Sequence, residues 1–465
     1  MDPLVFSGEA AAVGDRMHLA GRPRPDRREA GGHEGGDPGA AAGSIFDEFM
    51  SVALPEWALV HQSIEATEVE DVREAVNVAL RGPMAAVAPA TRVCLAVGSR
   101  GIDRLDEVVA AVVAEIRRAG GEVFVVPAMG SHGGATAEGQ LETLASYGVT
   151  PDRVGCEIRS SMETVELGLL QPDLPVFVDR IAYEQADAIV PINRIKPHTD
   201  FTGSIESGIA KMIAIGLGKQ RGADTLHRRG FAAFHELIPM VAQFTIGRLS
   251  IPFGLALLEN GYARLMRVEA VPGPRILKRE PELLRIASQA MGRIPLGAID
   301  TLVLDYIGKD VSGLGMDSNV VGRYYTGFTG EPPAIQRIVV RDLTDATEGN
   351  AVGIGLADVV LRRAVDRMDL RKTYVNCITA KTPEGARVAL TVNSDREALA
   401  VALGCCTRVA PGGAGIVRAC DTKHLDRLYV SAGLLPEMLA SGADVVEPAH
   451  PIHFDSAGMF IDPSP

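Results

Sequence analysis

No stretch of about 18 consecutive apolar residues occurs in the sequence, and no hydrophobic segment stands near its start, so neither a membrane span nor a secretory signal is expected. No long basic run occurs, which argues against a nucleic-acid partner. The six cysteines (Cys94, Cys156, Cys377, Cys405, Cys406 and Cys420) contain no CxxC pair and are spread too thinly for a disulfide framework. Reduced, cytoplasmic usage is the expectation. There is no Walker A or GxGxxG pattern, which removes the common nucleotide fingerprints, and no HExxH, Cys/His cluster or carboxylate triad to hold a metal by spacing alone. Internal repeats and heptads are also lacking.

What is there fits an ordinary globular enzyme. Hydrophobic residues make up 46% and charged residues 23% of 465, enough for a large core and two or three domains. The net charge is −13, so an anionic ligand would have to bind through local basic groups.

Helix and strand signals alternate from residue 69 onward. "EDVREAVNVALRG" and "LDEVVAAVVAEIRRAG" (Leu105–Gly120) have helical periodicity, and Thr136 stands as N-cap before "AEGQLETLASYG". "RVCLAVGS" (Arg92–Ser99), "EVFVVPA" and "ADAIVPINRI" are short apolar runs that end in turns, as buried parallel strands do. The pattern predicts an α/β fold of two α/β domains, with mostly parallel sheets and an active-site cleft between them. Residues 1–49 read as a disordered tail, 50–292 as a first, cofactor-binding domain, 297–445 as a second domain, and 446–465 as an irregular tail.

In parallel sheets ligands sit beyond the carboxyl ends of the strands. Three such loops each offer one group: Arg100 in "VGSRGI", His132 in "AMGSHGG" and His198 in "INRIKPHTDFTG". Imidazole suits proton transfer near neutral pH. Downstream, "SGIAKMIAIGLG" sets Lys211 among apolar neighbours. A lysine there is either a side chain snorkelling off a helix or a nucleophile and covalent anchor. His227, sixteen residues beyond Lys211, is a candidate acid/base or metal ligand. In the second domain "YIGKDVSGLGMDSN" presents Lys309 at a strand end, where its charge would close over an anionic substrate. "HPIH" (His450–His453) has chelating spacing but falls in the stretch read as irregular.

The order "GSHGG", then "KPH…F…G…SG…K", a downstream histidine and "GKD" resembles the nickel-pincer lactate racemase family over roughly residues 70–440. The resemblance implies a nickel pincer nucleotide (pyridinium-3,5-bisthiocarboxylic acid mononucleotide) anchored on Lys211, with His227 as nickel ligand. It implies His132 and His198 as the acid/base pair, and Arg100 and Lys309 as the grip on a substrate carboxylate. The implied activity is racemisation or epimerisation of a 2-hydroxy acid, with cofactor-synthesis enzymes of the host as partners. Other redox or elimination chemistry on the same cofactor, or binding of a nucleotide or organic acid without catalysis, are the alternative readings. Three departures stand out. Val97 replaces an acidic residue three before Arg100; "SHGG" stands where the family has an arginine; and the spacing from His198 to Lys211 lets Lys219 compete as the anchor. They leave the substrate open between lactate and a larger hydroxy acid such as a sugar acid.

Overall fold

Consecutive β-branched and aliphatic residues, bounded by glycine or charge, make strands that are buried on both faces. The computed structural model describes residues 52–98, 101–325, 333–409 and 413–465. Its strands, in chain order, begin with β1 (Glu56–His61), β2 (Arg92–Val97), β3 (Glu122–Pro127) and β4 (Glu157–Ile158). A hairpin of β5 (Thr164–Gln171) and β6 (Leu174–Asp179) follows, then β7 (Ala188–Arg194), β8 (Phe253–Glu259) and β9 (Leu265–Pro272). A six-stranded sheet has the order β4-β3-β2-β7-β8-β9, parallel throughout except for the antiparallel edge strand β9.

β2 shows why this sheet is covered on both sides. Its residues from Val93 to Val97 are all buried, and the two-residue period divides them between two cores. Cys94 and Ala96 face Ile209, Met212 and the helices Phe234–Ile246 and Ile276–Ala290. Val93, Leu95 and Val97 face the helices Val72–Leu80 and Leu105–Arg118. Thr136 is the N-cap of Ala137–Ser146, accepting the Gly139 N–H, as the sequence predicts.

The second sheet contains β10 (Ala298–Ile307), β11 (Ala334–Leu343), β12 (Val359–Leu361), β13 (Leu390–Val392), β14 (Ile416–Ala419), β15 (Arg427–Ser431) and β16 (Asp444–Pro451). Its order is β13-β12-β11-β10-β14-β15-β1-β16. The first five strands are parallel and the last three antiparallel additions. The architecture is therefore α/β with two mostly parallel sheets, as expected.

Two details differ from the sequence reading. β1, at the start of the segment assigned to the first domain, pairs with β15 and β16 in the second sheet. Its Trp57 stacks on Tyr429 with ring centroids 4.7 Å apart. The stretch from 446, read as irregular, is strand as far as Pro451. Pro448 and Pro451 look like breakers in the sequence, but an edge strand tolerates proline because one side of its ladder has no partner. The expected tail 1–49 lies outside the described residues. Among those residues no helix is long and apolar enough to cross a membrane.

Candidate functional site

Because β3, β2 and β7 are adjacent and parallel, their carboxyl-end loops converge on one edge of the first sheet. The loop after β3 carries His132. Gly133 next to it has φ +65°, and a Cβ there would come 2.4 Å from the Gly139 carbonyl carbon, so only glycine fits. Gln140, fully buried, donates to Gly130 O at 2.9 Å and to His132 O at 3.3 Å and so ties the loop to the following helix.

After β7 the chain folds back on itself, with Lys196 bridged to Ser207. The enclosed turn is organised by Glu206, which accepts the N–H groups of His198 (2.6 Å) and Gly203 (2.9 Å). Burial raises the Glu206 pKa. His198 is 5% exposed and its ring lies 4.5 Å from that of Phe201. Its Nδ1 accepts the Asp200 N–H at 3.0 Å, so the neutral ring carries its proton on Nε2.

Gly208 then opens the short helical turn Ile209–Lys211. The buried carboxyl of Glu280 caps that turn by accepting the Ala210 N–H at 2.9 Å. A Cβ on Gly208 would sit 2.0 Å from Glu280 Oε1, so any larger residue would have to displace that carboxyl. The turn runs into a π-helical stretch, Met212–Gly216, a form used mostly in single turns and often near functional sites. Lys211 Nζ lies 5.7 Å from the centre of the Phe201 ring.

The next helix, Lys219–His227, opens on the second lysine. Lys219 is fully buried, ion-paired with Asp179 at 3.0 Å, and donates to Gln140 Oε1 at 3.0 Å and to Pro127 O. Burial lowers its pKa, against the pull of Asp179. It cross-links the ends of β3 and β6. At the other end of the helix His227 Nδ1 lies 2.6 Å from Ala223 O and donates its proton there, which leaves the Nε2 lone pair available. Phe231 and Phe234 present edge-on to its ring at 5.6 and 5.2 Å. Burial lowers the His227 pKa, with the nearby Lys211 charge acting in the same direction.

From the second sheet, the loop after β10 supplies Lys309, whose Nζ donates to Gly313 O at 2.7 Å. An inner cavity of about 240 Å³ is lined by His132, His198, Lys211, His227 and Lys309 together. A wider cavity of about 790 Å³ shares His132, His198 and Lys309 with it. Arg100 lies outside the described residues. The sequence reading passed over Lys196, which lines both cavities and reaches Asp317 at 3.9 Å. It also passed over Asn319, whose Nδ2 donates to His198 O at 3.2 Å and so joins the two sheets' loops. The signal for Lys196 was its place in the "KPH" motif, two residues before His198.

No family model and no curated protein matches the chain. Among solved structures, the lactate racemase apoprotein from Thermoanaerobacterium thermosaccharolyticum is similar at a TM-score of 0.43 and 12% identity. That alignment covers 80% of this chain and 89% of the other.

Chemically, the inner cavity combines a primary amine, an imidazole with an open Nε2, and two further imidazoles. Among the described residues, the triplets able to chelate a metal unaided are Cys420–Asp421–His424 and His450–His453–Asp462, and neither lines this cavity. A metal held at His227 would therefore have to arrive with most of its ligands supplied by an organic group. A primary amine and an imidazole with an open Nε2 on one cavity wall are the donor types that such a group would need.

Proposed function

We propose that the chain is a cytoplasmic racemase or epimerase of a 2-hydroxy acid that carries a nickel pincer nucleotide. The observation that supports this most is the convergence of Lys211, His227, His132 and His198 on one cavity of about 240 Å³. In this reading Lys211 holds the cofactor covalently and His227 Nε2 ligates its nickel. When bound, the group supplies an acceptor for the hydrogen on C2 of the substrate.

The chain's own residues do the rest. His198, with its proton on Nε2, donates to a substrate oxygen. Asp200 Oδ2, 3.5 Å from His198 Nδ1, sets a carboxylate beside the ring that would stabilise its cationic form. His132, on a different loop, faces the same space, so the hydroxyl of either configuration meets one imidazole. Lys309 offers its charge to the carboxylate from the opposite sheet. The neutral state favoured by burial keeps His227 able to ligate. Host enzymes that make the cofactor are the partners this reading requires.

The test is intact mass and activity after co-expression with pincer-synthesis enzymes. The expected result is a covalent adduct on Lys211, and interconversion of hydroxy-acid isomers in deuterated water without deuterium at C2. An unmodified Lys211, or deuterium incorporated at C2, would overturn the proposal.

A further inference from the structure

His450 and His453 play no part in the site between the sheets, yet the structure gives them a third partner. Beyond β16 the chain forms a tight hairpin in which Phe454 pairs with Phe460. Their rings stack 5.5 Å apart, and Asp455 Oδ1 accepts the N–H groups of Ala457 (2.8 Å) and Met459 (2.9 Å). The hairpin brings Asp462 back beside His453. One ligand atom from each of His450, His453 and Asp462 lies within 4.8 Å of the others. The two imidazoles are face to face, 5.3 Å apart at an interplanar angle of 6°. His453 Nδ1 lies 3.7 Å from Asp462 Oδ1.

We propose that His450, His453 and Asp462 form a second, structural site for a divalent transition-metal ion such as Zn²⁺, Co²⁺ or Ni²⁺, which fastens the tail hairpin to β16. Three features carry this. First, His450 Nδ1 lies 2.9 Å from Pro451 O, so it donates there and leaves Nε2 unprotonated for a metal. Second, the hairpin is anchored by contacts that do not use the ligand atoms. The Phe460 ring packs 4.6 Å from the Arg418 guanidinium and 4.9 Å from that of Arg341. Its N–H donates to Asp395 Oδ2 at 2.8 Å, and the Asp462 carbonyl accepts from Arg418 at 3.0 Å. The carboxylate of Asp462 is thereby presented by a fixed backbone. Its Oδ2 makes one long bond, 3.5 Å, with the His453 N–H. Third, two imidazoles and one carboxylate suit these ions better than calcium or magnesium, which prefer all-oxygen shells. Metal–ligand bonds of about 2.0–2.2 Å place tetrahedral ligands about 3.4 Å apart, so rotations moving the ring tips by about 1 Å complete the set. The fourth position faces solvent, since the His453 side chain is 54% exposed.

The site is independent of Lys211 and His227, so nickel counted on the whole protein would report two places. The experiment uses the full chain made without pincer-synthesis enzymes, stripped with a chelator and titrated with Co²⁺ and Zn²⁺. We expect one equivalent whose binding depends on His450 and Asp462, visible Co²⁺ ligand-field bands, and a melting temperature raised by Zn²⁺. Affinity should fall at least tenfold in His450→Ala and in Asp462→Asn and stay unchanged in His227→Ala. Equal binding by the wild type, His450→Ala and Asp462→Asn would overturn the proposal, as would loss of binding in His227→Ala alone. Neither result bears on a Lys211 adduct, which is read separately by mass.

Discussion

Replacing Lys219 with methionine tests how the two lysines of the glycine-rich segment divide their work. Lys219 is fully buried, and so is its partner Asp179, 3.0 Å away. Methionine fills a similar volume but removes the charge. Asp179 would keep only its Oδ1 bond from the Ala182 N–H, at 2.8 Å. Removing one partner of a buried ion pair costs about 3–5 kcal/mol, because the other charge is left uncompensated. The Lys219 bonds to Gln140 Oε1 and Pro127 O would vanish too, and each is worth about 1 kcal/mol. A loss of roughly 5–7 kcal/mol is a large part of the 5–15 kcal/mol typical of a folded domain. Lys211 lines a cavity, so Lys211→Ala should cost less than about 1 kcal/mol. The assay is urea unfolding followed by circular dichroism, with the midpoint shift multiplied by an unchanged slope. Asp179→Asn in the Lys219→Met background should return part of the loss by removing the stranded charge. A Lys219→Met protein within 1 kcal/mol of wild type, or one less destabilised than Lys211→Ala, would refute the division of roles.

The other predictions concern the proton-handling groups and a buried acid. His132→Ala and His198→Ala should each lower turnover by about 10²–10⁴-fold while the mass of the Lys211 adduct is unchanged; undiminished turnover in both would remove their assigned roles. Glu280 is wholly buried and its pKa is pushed up to about 8 by desolvation. Its folded pKa lies above the unfolded value, so the stability it contributes is complete below about pH 4.5 and is lost as pH rises through about 8. Glu280→Gln should remove this loss while keeping an acceptor for the Ala210 N–H; chemical denaturation at pH 5, 7 and 9 reads it, and an unchanged pH profile would exclude the carboxyl as its source. His227 has the opposite sense among the histidines: burial depresses its pKa, so the stability it contributes is present above about pH 6.5 and declines as pH falls. His227→Phe should flatten that acid-side decline in the same measurements.

The amino-acid order by itself determined the α/β class, because β2, β3 and β7 are each a short apolar run followed by a glycine- or histidine-bearing loop, and both signals are local. It also determined that His132 and His198 stand at carboxyl ends of parallel strands, since side-by-side parallel strands present those ends to one edge. It could not divide Lys211 from Lys219. Both fall in one apolar, glycine-laced segment eight residues apart, and a continuous helix would keep them within about a quarter turn of each other. Tertiary structure separates them: the π-helical stretch ends at Gly216, and Lys219 takes φ +51°, which turns its amine toward Asp179, forty residues earlier in the chain. The placement of β1 beside β15 and β16, and the return of Asp462 to His453, are likewise decisions of long-range packing. Such contacts join residues whose own neighbours in sequence carry no trace of the partner, so only the folded chain reveals them.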